Sequence, residues 1–146
     1  MSALFAFACL QAMAQKQDFP LNEPDYNKPK LFAELPQKMT VKLTAVDAAL
    51  RLSAGATVSL QLSDKLTLEG TIVSADLQDP ALQSIVIRCS NRQDAILTLT
   101  RSLNADRSYG YSGRIMSKNN SDAYEIVLEN GSYILQKKNY YDLMNE

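Results

Sequence analysis

Ala123-Tyr124-Glu125-Ile126-Val127-Leu128-Glu129-Asn130-Gly131-Ser132-Tyr133-Ile134-Leu135-Gln136-Lys137 is the stretch on which the fold turns. Asn-Gly is the pair preferred at a two-residue type I′ hairpin turn, because both residues accept positive φ. A two-residue loop fixes the register. Leu128 then faces Tyr133, Ile126 faces Leu135 and Tyr124 faces Lys137 on one side. On the other, Glu125 faces Gln136 around a Val127–Ile134 pair. The first side is almost wholly apolar and the second mostly polar. Turn chemistry and face chemistry agree, which is what specifies a strand register.

The same period of two recurs upstream. Tyr109, Tyr111, Gly113 and Ile115 share a face. Ala95 to Arg101 places Leu97 and Leu99 opposite Ile96, Thr98 and Thr100. Ser84 to Ser90 sets Ile85, Ile87 and Cys89 against Val86 and Arg88. Val58, Leu60 and Leu62 lead through a three-residue loop, Ser63-Asp64-Lys65, into Leu66, Leu68, Gly70 and Ile72. Met39, Val41, Leu43 and Ala45 alternate as in a half-buried strand. Val46 to Leu52 is ambiguous, since Asp47 could cap a short helix through Ala48, Ala49 and Leu50. Asn139 to Glu146 adds a helical turn that folds Tyr140 or Leu143 back on the sheet. Seven or eight short strands without a long helical period predict one all-β domain, either a β-sandwich or a small partly open barrel.

The N-terminal third reads differently. Met1 to Gln15 is uncharged and apolar and ends in Ala12-Met13-Ala14, the small-x-small pattern of signal peptidase. The expectation is a signal peptide over 1–14, cleaved after Ala14, and therefore an exported protein in the periplasm, on the cell surface or in the medium. Ala6-Phe7-Ala8 before Cys9 does not fit a lipoprotein box. Four of the five prolines, Pro20, Pro24, Pro29 and Pro36, make residues 15–37 an extended arm or linker. Tyr26, Leu31, Phe32 and Leu35 are placed to dock its second half. The all-β domain is expected over 38–146, with no integral membrane segment once the leader is gone.

Composition removes much of chemistry. There is no His among the 146 residues and there are only two Cys, so Ser-His-Asp systems, Cys-His systems and His-ligated metal sites are excluded. The net charge of −1 lacks the basic excess that a nucleic-acid reader needs. After cleavage Cys89 is the one remaining thiol; the expectation is a small buried residue on a strand.

Val58-Ser59-Leu60-Gln61-Leu62, Leu66-Thr67-Leu68-Glu69-Gly70, Ile96-Leu97-Thr98-Leu99, Gly113-Arg114-Ile115, Ala123-Tyr124-Glu125-Ile126 and Gly131-Ser132-Tyr133-Ile134-Leu135 succeed one another in order. This succession, from Thr57 to Lys138, resembles the β-rich prodomain-like region of secreted bacterial zinc metalloproteases. No His-Glu-x-x-His motif is present. The resemblance implies a free-standing relative of a prodomain, an inhibitor or chaperone of a separate secreted protease.

Carboxylates are the remaining catalytic currency. Asp76 and Asp79 share a loop, and Asp64 and Glu69 flank the first hairpin, but a carboxylate-dependent hydrolase needs a defined separation and a cleft that this spacing does not supply. Asn119-Asn120-Ser121-Asp122 is the best turn for an ion, and an ordinary turn by the same residues. Six of the seven Tyr lie after residue 108; Tyr109 and Tyr111 share one face, Tyr124 and Tyr133 another. Tyrosine-rich faces suit recognition of proteins or glycans. Tyr109, Tyr111 and Arg114 are the candidate ligand-binding residues of a non-catalytic module that binds a protein or polymer outside the cytoplasm, with no cofactor, metal or nucleic acid expected.

Overall fold

The computed structural model describes residues 27–146. The expected leader, its cleavage after Ala14, Cys9 and the first half of the arm with Tyr26 lie outside them. In chain order the described residues form β1 (Lys38–Thr40), α1 (Leu43–Ala49), β2 (Thr57–Ser63), β3 (Leu66–Asp76) and β4 (Leu82–Cys89). They continue with β5 (Ile96–Leu103), β6 (Tyr109–Met116), β7 (Asp122–Glu129), β8 (Ser132–Asn139) and α2 (Tyr140–Met144). All eight strands join one antiparallel sheet in the order β1-β8-β7-β6-β5-β4-β3-β2.

The Asn130–Gly131 turn has the backbone its residues favour, with φ of 50° and 78°. Its register is the expected one, pairing Leu128 with Tyr133, Ile126 with Leu135 and Tyr124 with Lys137. From β2 to β8 the sheet is a plain meander; β1 alone leaves chain order to lie beside β8. The two residues after β1 decide between sandwich and barrel. Val41 N–H donates to the Tyr133 carbonyl at 3.0 Å, and Lys42 N–H donates to the Leu62 carbonyl on β2 at 2.8 Å. One short segment touches both edges, so the sheet is curled into a partly open barrel.

The inner side of the curl carries the apolar residues that the alternation assigns to one face. Ile85, Ile87, Leu97, Leu99, Ile115, Tyr124 and Leu135 are all buried, as are Leu60, Leu62, Leu66, Leu68 and Ile72. Such burial, at about 25 cal/mol per Å² of apolar surface, is the main source of stability for a disulfide-free domain. Cys89 belongs to this set, and its burial pushes the thiol up to about 11. In a Cys9→Ser chain we therefore expect no reaction with Ellman's reagent in the native state at pH 8, and one thiol on unfolding. Rapid native modification would place the sulfur at the surface.

Two local expectations are corrected. The strand expected through Ala45 stops at Thr40, and a helix begins at Leu43. Leu43 and Ala45 fit a period of two, but Val46, Ala49 and Leu50 fit a helical stripe, and burying Val46 and Ala49 against the sheet settles it. Asp47 is not the cap: Lys42 holds that position, without a side-chain cap bond. The first hairpin has a two-residue turn, because Ser63 pairs with Leu66. A register shift between Gln61 and Ser63 absorbs the odd residue and leaves both Leu62 and Ser63 buried.

The barrel's ends are covered by different pieces. At one end α1 lies against β2. At the other, residues 31–36 form a strap with Phe32 fully buried against Tyr124, ring centroids 4.8 Å apart. Four barrel side chains hold the strap by its backbone. Asp122 accepts from the Leu31 and Phe32 N–H groups at 2.5 and 3.0 Å. Lys137 Nζ donates to the Phe32 and Leu35 carbonyls, both at 2.7 Å. Tyr124 donates to the Pro36 carbonyl and Arg92 to that of Leu31. Tertiary hydrogen bonds of this kind immobilise a proline-bearing segment that forms no ladder of its own.

Candidate functional site

The structure separates the three residues that the sequence grouped. Strand alternation sends Tyr109 and Tyr111 to the inner side of β6 and Arg114 to the outer side. Tyr124 and Tyr133 also project inward, so all four tyrosines share the concave side rather than two faces. Tyr111 is edge-on to Tyr133, with centroids 5.3 Å apart. Its N–H donates to the Tyr133 hydroxyl at 3.3 Å.

Tyr111 serves a polar clamp. Its hydroxyl donates to Asp47 Oδ1 at 2.8 Å, and Arg101 Nη1 donates to the same oxygen at 3.0 Å. Arg101 Nη2 donates to Gln83 Oε1 at 2.6 Å, and the guanidinium stacks 4.5 Å from the Tyr109 ring centroid. Partial burial, and then the Asp47 carboxylate, push the Tyr111 pKa above that of an ordinary phenol. The cluster fastens α1 to β4, β5 and β6. Only Tyr109, 42% exposed, presents a substantial face to solvent.

Two of the four carboxylates named in the sequence have local partners. Asp64 pairs with Lys42 at 2.8 Å, and Asp79 accepts from Ala81 N–H, also at 2.8 Å. The turn considered for an ion has another use. Asn120 donates to the Pro29 carbonyl and Asp122 binds the strap. Among the described residues no group of three or more Cys, Asp or Glu side chains is arranged to hold a metal.

Arg114 leads to a different place. On the outer side, cross-strand pairing sets Arg88 beside Ile96 and Ile96 beside Met116, while Thr98 sits opposite both Val86 and Arg114. Lys118 and Asn119 from the β6–β7 loop, and Tyr140 at the start of α2, raise the walls. The result is a groove of about 780 Å³. Its floor is apolar, from Ile96 and Met116. Arg88, Arg114 and Lys118 face one acidic lining residue, Asp94.

Arg114 is already engaged. Nε donates to Glu125 at 3.1 Å, Nη1 to the Leu143 carbonyl at 3.0 Å and Nη2 to Glu146 at 2.7 Å. The Arg88 and Lys118 side-chain charges have no ion-pair partner among the described residues. Sequence reasoning missed Arg88, Lys118 and Tyr140. Its usable signal was the outward parity of Arg88 with Val86; nothing local linked that strand to residues 118 and 140.

No protein-family model, curated protein or solved structure matches this chain. No helix among the described residues is long and apolar enough to cross a membrane.

Proposed function

We propose that this chain is an exported, non-catalytic β module that binds a protein or polymer outside the cytoplasm through the groove on the outer side of β4, β5 and β6. The observation that carries the reading is the groove itself. An apolar floor of Ile96 and Met116 is flanked by two cations, Arg88 and Lys118, with no carboxylate partner among the described residues. Concavity with a few convergent charges on an apolar base is the ordinary form of a binding site. A negatively charged chain with some apolar character fits that lining. The Tyr109 rim is the lesser surface, because Tyr111 beside it is committed to holding α1.

The test is retention of the full chain on immobilised polyglutamate and on immobilised polygalacturonate, at low and at physiological salt. At least one matrix should retain it in a salt-sensitive way. The Arg88→Ala/Lys118→Ala double variant should lose most of that retention, with a thermal midpoint within about 2 °C of the parent, since exposed charges contribute little to stability. Retention by neither matrix, or equal retention of the double variant, removes the groove as the binding surface.

A further inference from the structure

Arg114 is held by a short piece of peptide. Its Nη1 takes the backbone carbonyl of Leu143 and its Nη2 the carboxylate of Glu146, three residues further on. Leu143 itself is buried, so that piece has an apolar anchor next to its acid. Tyr140, at the start of the same segment, forms part of the groove wall. The groove's third cation is thus occupied, from within the chain, by the pattern of an acidic peptide: an apolar side chain, a main-chain carbonyl, then a carboxylate.

We infer that the groove takes an acidic polypeptide segment, and that Glu146 is a built-in competitor which a ligand carboxylate displaces from Arg114. This rests on the binding role proposed above for the groove. Polypeptide is favoured over an acidic polysaccharide because Arg114 already receives a carbonyl and a carboxylate in peptide spacing beside an apolar floor. Displacement is easy because the pair is exposed: the two side chains retain 37% and 51% of their accessibility. Exposed ion pairs are weak and screened. Glu125 stays on Nε, from the neighbouring strand, and keeps the guanidinium aimed at the groove.

A competitor that occupies the site part of the time raises the apparent dissociation constant by the reciprocal of the free fraction. For an exposed ion pair that factor is about two to six. The experiment titrates full-length protein with acetylated deca-glutamate, and separately with deca-galacturonate, by calorimetry at low salt. Glu146→Gln should bind deca-glutamate about two- to sixfold more tightly than the parent. Glu129→Gln removes the same charge from a pair with Lys38 elsewhere on the sheet, and should change affinity less than twofold.

Equal affinity of Glu146→Gln and parent, or the same gain in Glu129→Gln, overturns the competitor. Binding of deca-galacturonate alone overturns the polypeptide assignment. In both cases loss of binding in Arg88→Ala/Lys118→Ala leaves the groove standing. If that double variant binds as the parent does, the groove itself has failed, and the competitor with it.

Discussion

Phe32→Ala should lower the unfolding free energy by about 3–5 kcal/mol, the usual range for emptying a fully buried phenylalanine site. Phe32 lies upstream of the first strand, in a proline-bearing segment, yet its side chain is 0% exposed. Tyr124 packs on the ring at 4.8 Å, and the Arg92 guanidinium lies 5.5 Å from its centroid. The cavity cannot close by letting the strap drift inward, because Asp122, Lys137 and Arg92 fix the backbone on both sides of the residue. Domains of this size have about 5–15 kcal/mol in total, so the loss is a large share. A urea melt of parent and variant measures it. A loss under about 1 kcal/mol would mean that the strap merely rests on the barrel. Tyr124 should report the same event, since burial pushes its phenol up to about 12. Its stabilising effect is complete below the ordinary value of 10 and is lost as pH rises toward 12, so the parent should weaken across that window.

What was legible in the chain is what depends on neighbours in sequence. Asn130-Gly131 has a turn geometry of its own, and counting from it yields every pairing from Tyr124–Lys137 to Leu128–Tyr133. The inward sides of β4 and β5 come from alternation alone. The all-β class was within reach for the same reason, whereas alternation left the barrel open beside a sandwich until Val41 and Lys42 joined the two edges. The failures are places where two local rules compete. Residues 43–50 satisfy both a strand and a helix period, and only docking on the sheet favours the helix. The residue at Leu62 is absorbed by a bulge that no turn signal announces. Grouping Arg114 with Tyr109 and Tyr111 was an error of parity, correctable by counting, since residues an odd number apart on one strand point to opposite sides. Docking of the arm's second half through Leu31, Phe32 and Leu35 was legible too; the groove and the strap's polar partners were out of reach. Lys118 and Tyr140 meet Arg88 only through the curl of the sheet, and the strap's partners lie between 61 and 105 residues away.

That curl supplies the other large effect, from two glycines in extended backbone. A methyl group added at Gly70 would lie 2.2 Å from the Arg88 carbonyl oxygen. One at Gly113 would lie 2.5 Å from the Thr98 oxygen and 3.1 Å from side-chain carbons of both Ile126 and Leu99. Both face main chain, which cannot swing aside like a side-chain tip. Glycine within a strand marks such bends, where backbones approach closely. Gly70→Ala and Gly113→Ala should each cost about 3 kcal/mol, the upper part of the range for overpacking. Gly55→Ala and Gly131→Ala should cost about 1 kcal/mol, although their φ values are 91° and 78°, because an added methyl there meets nothing within 4 Å. Urea midpoints of the four variants give the ranking, and a larger loss at Gly131 than at Gly70 would sink the argument. The strained neighbours tie stability to the site. Thr98 lines the groove beside Arg114, and Arg88 supplies one of its cations. To relieve either clash the sheet must flatten where these residues converge, so variants that remain folded should also bind polyanions more weakly. A variant as destabilised as Gly70→Ala but retaining full binding would separate the curl from the groove.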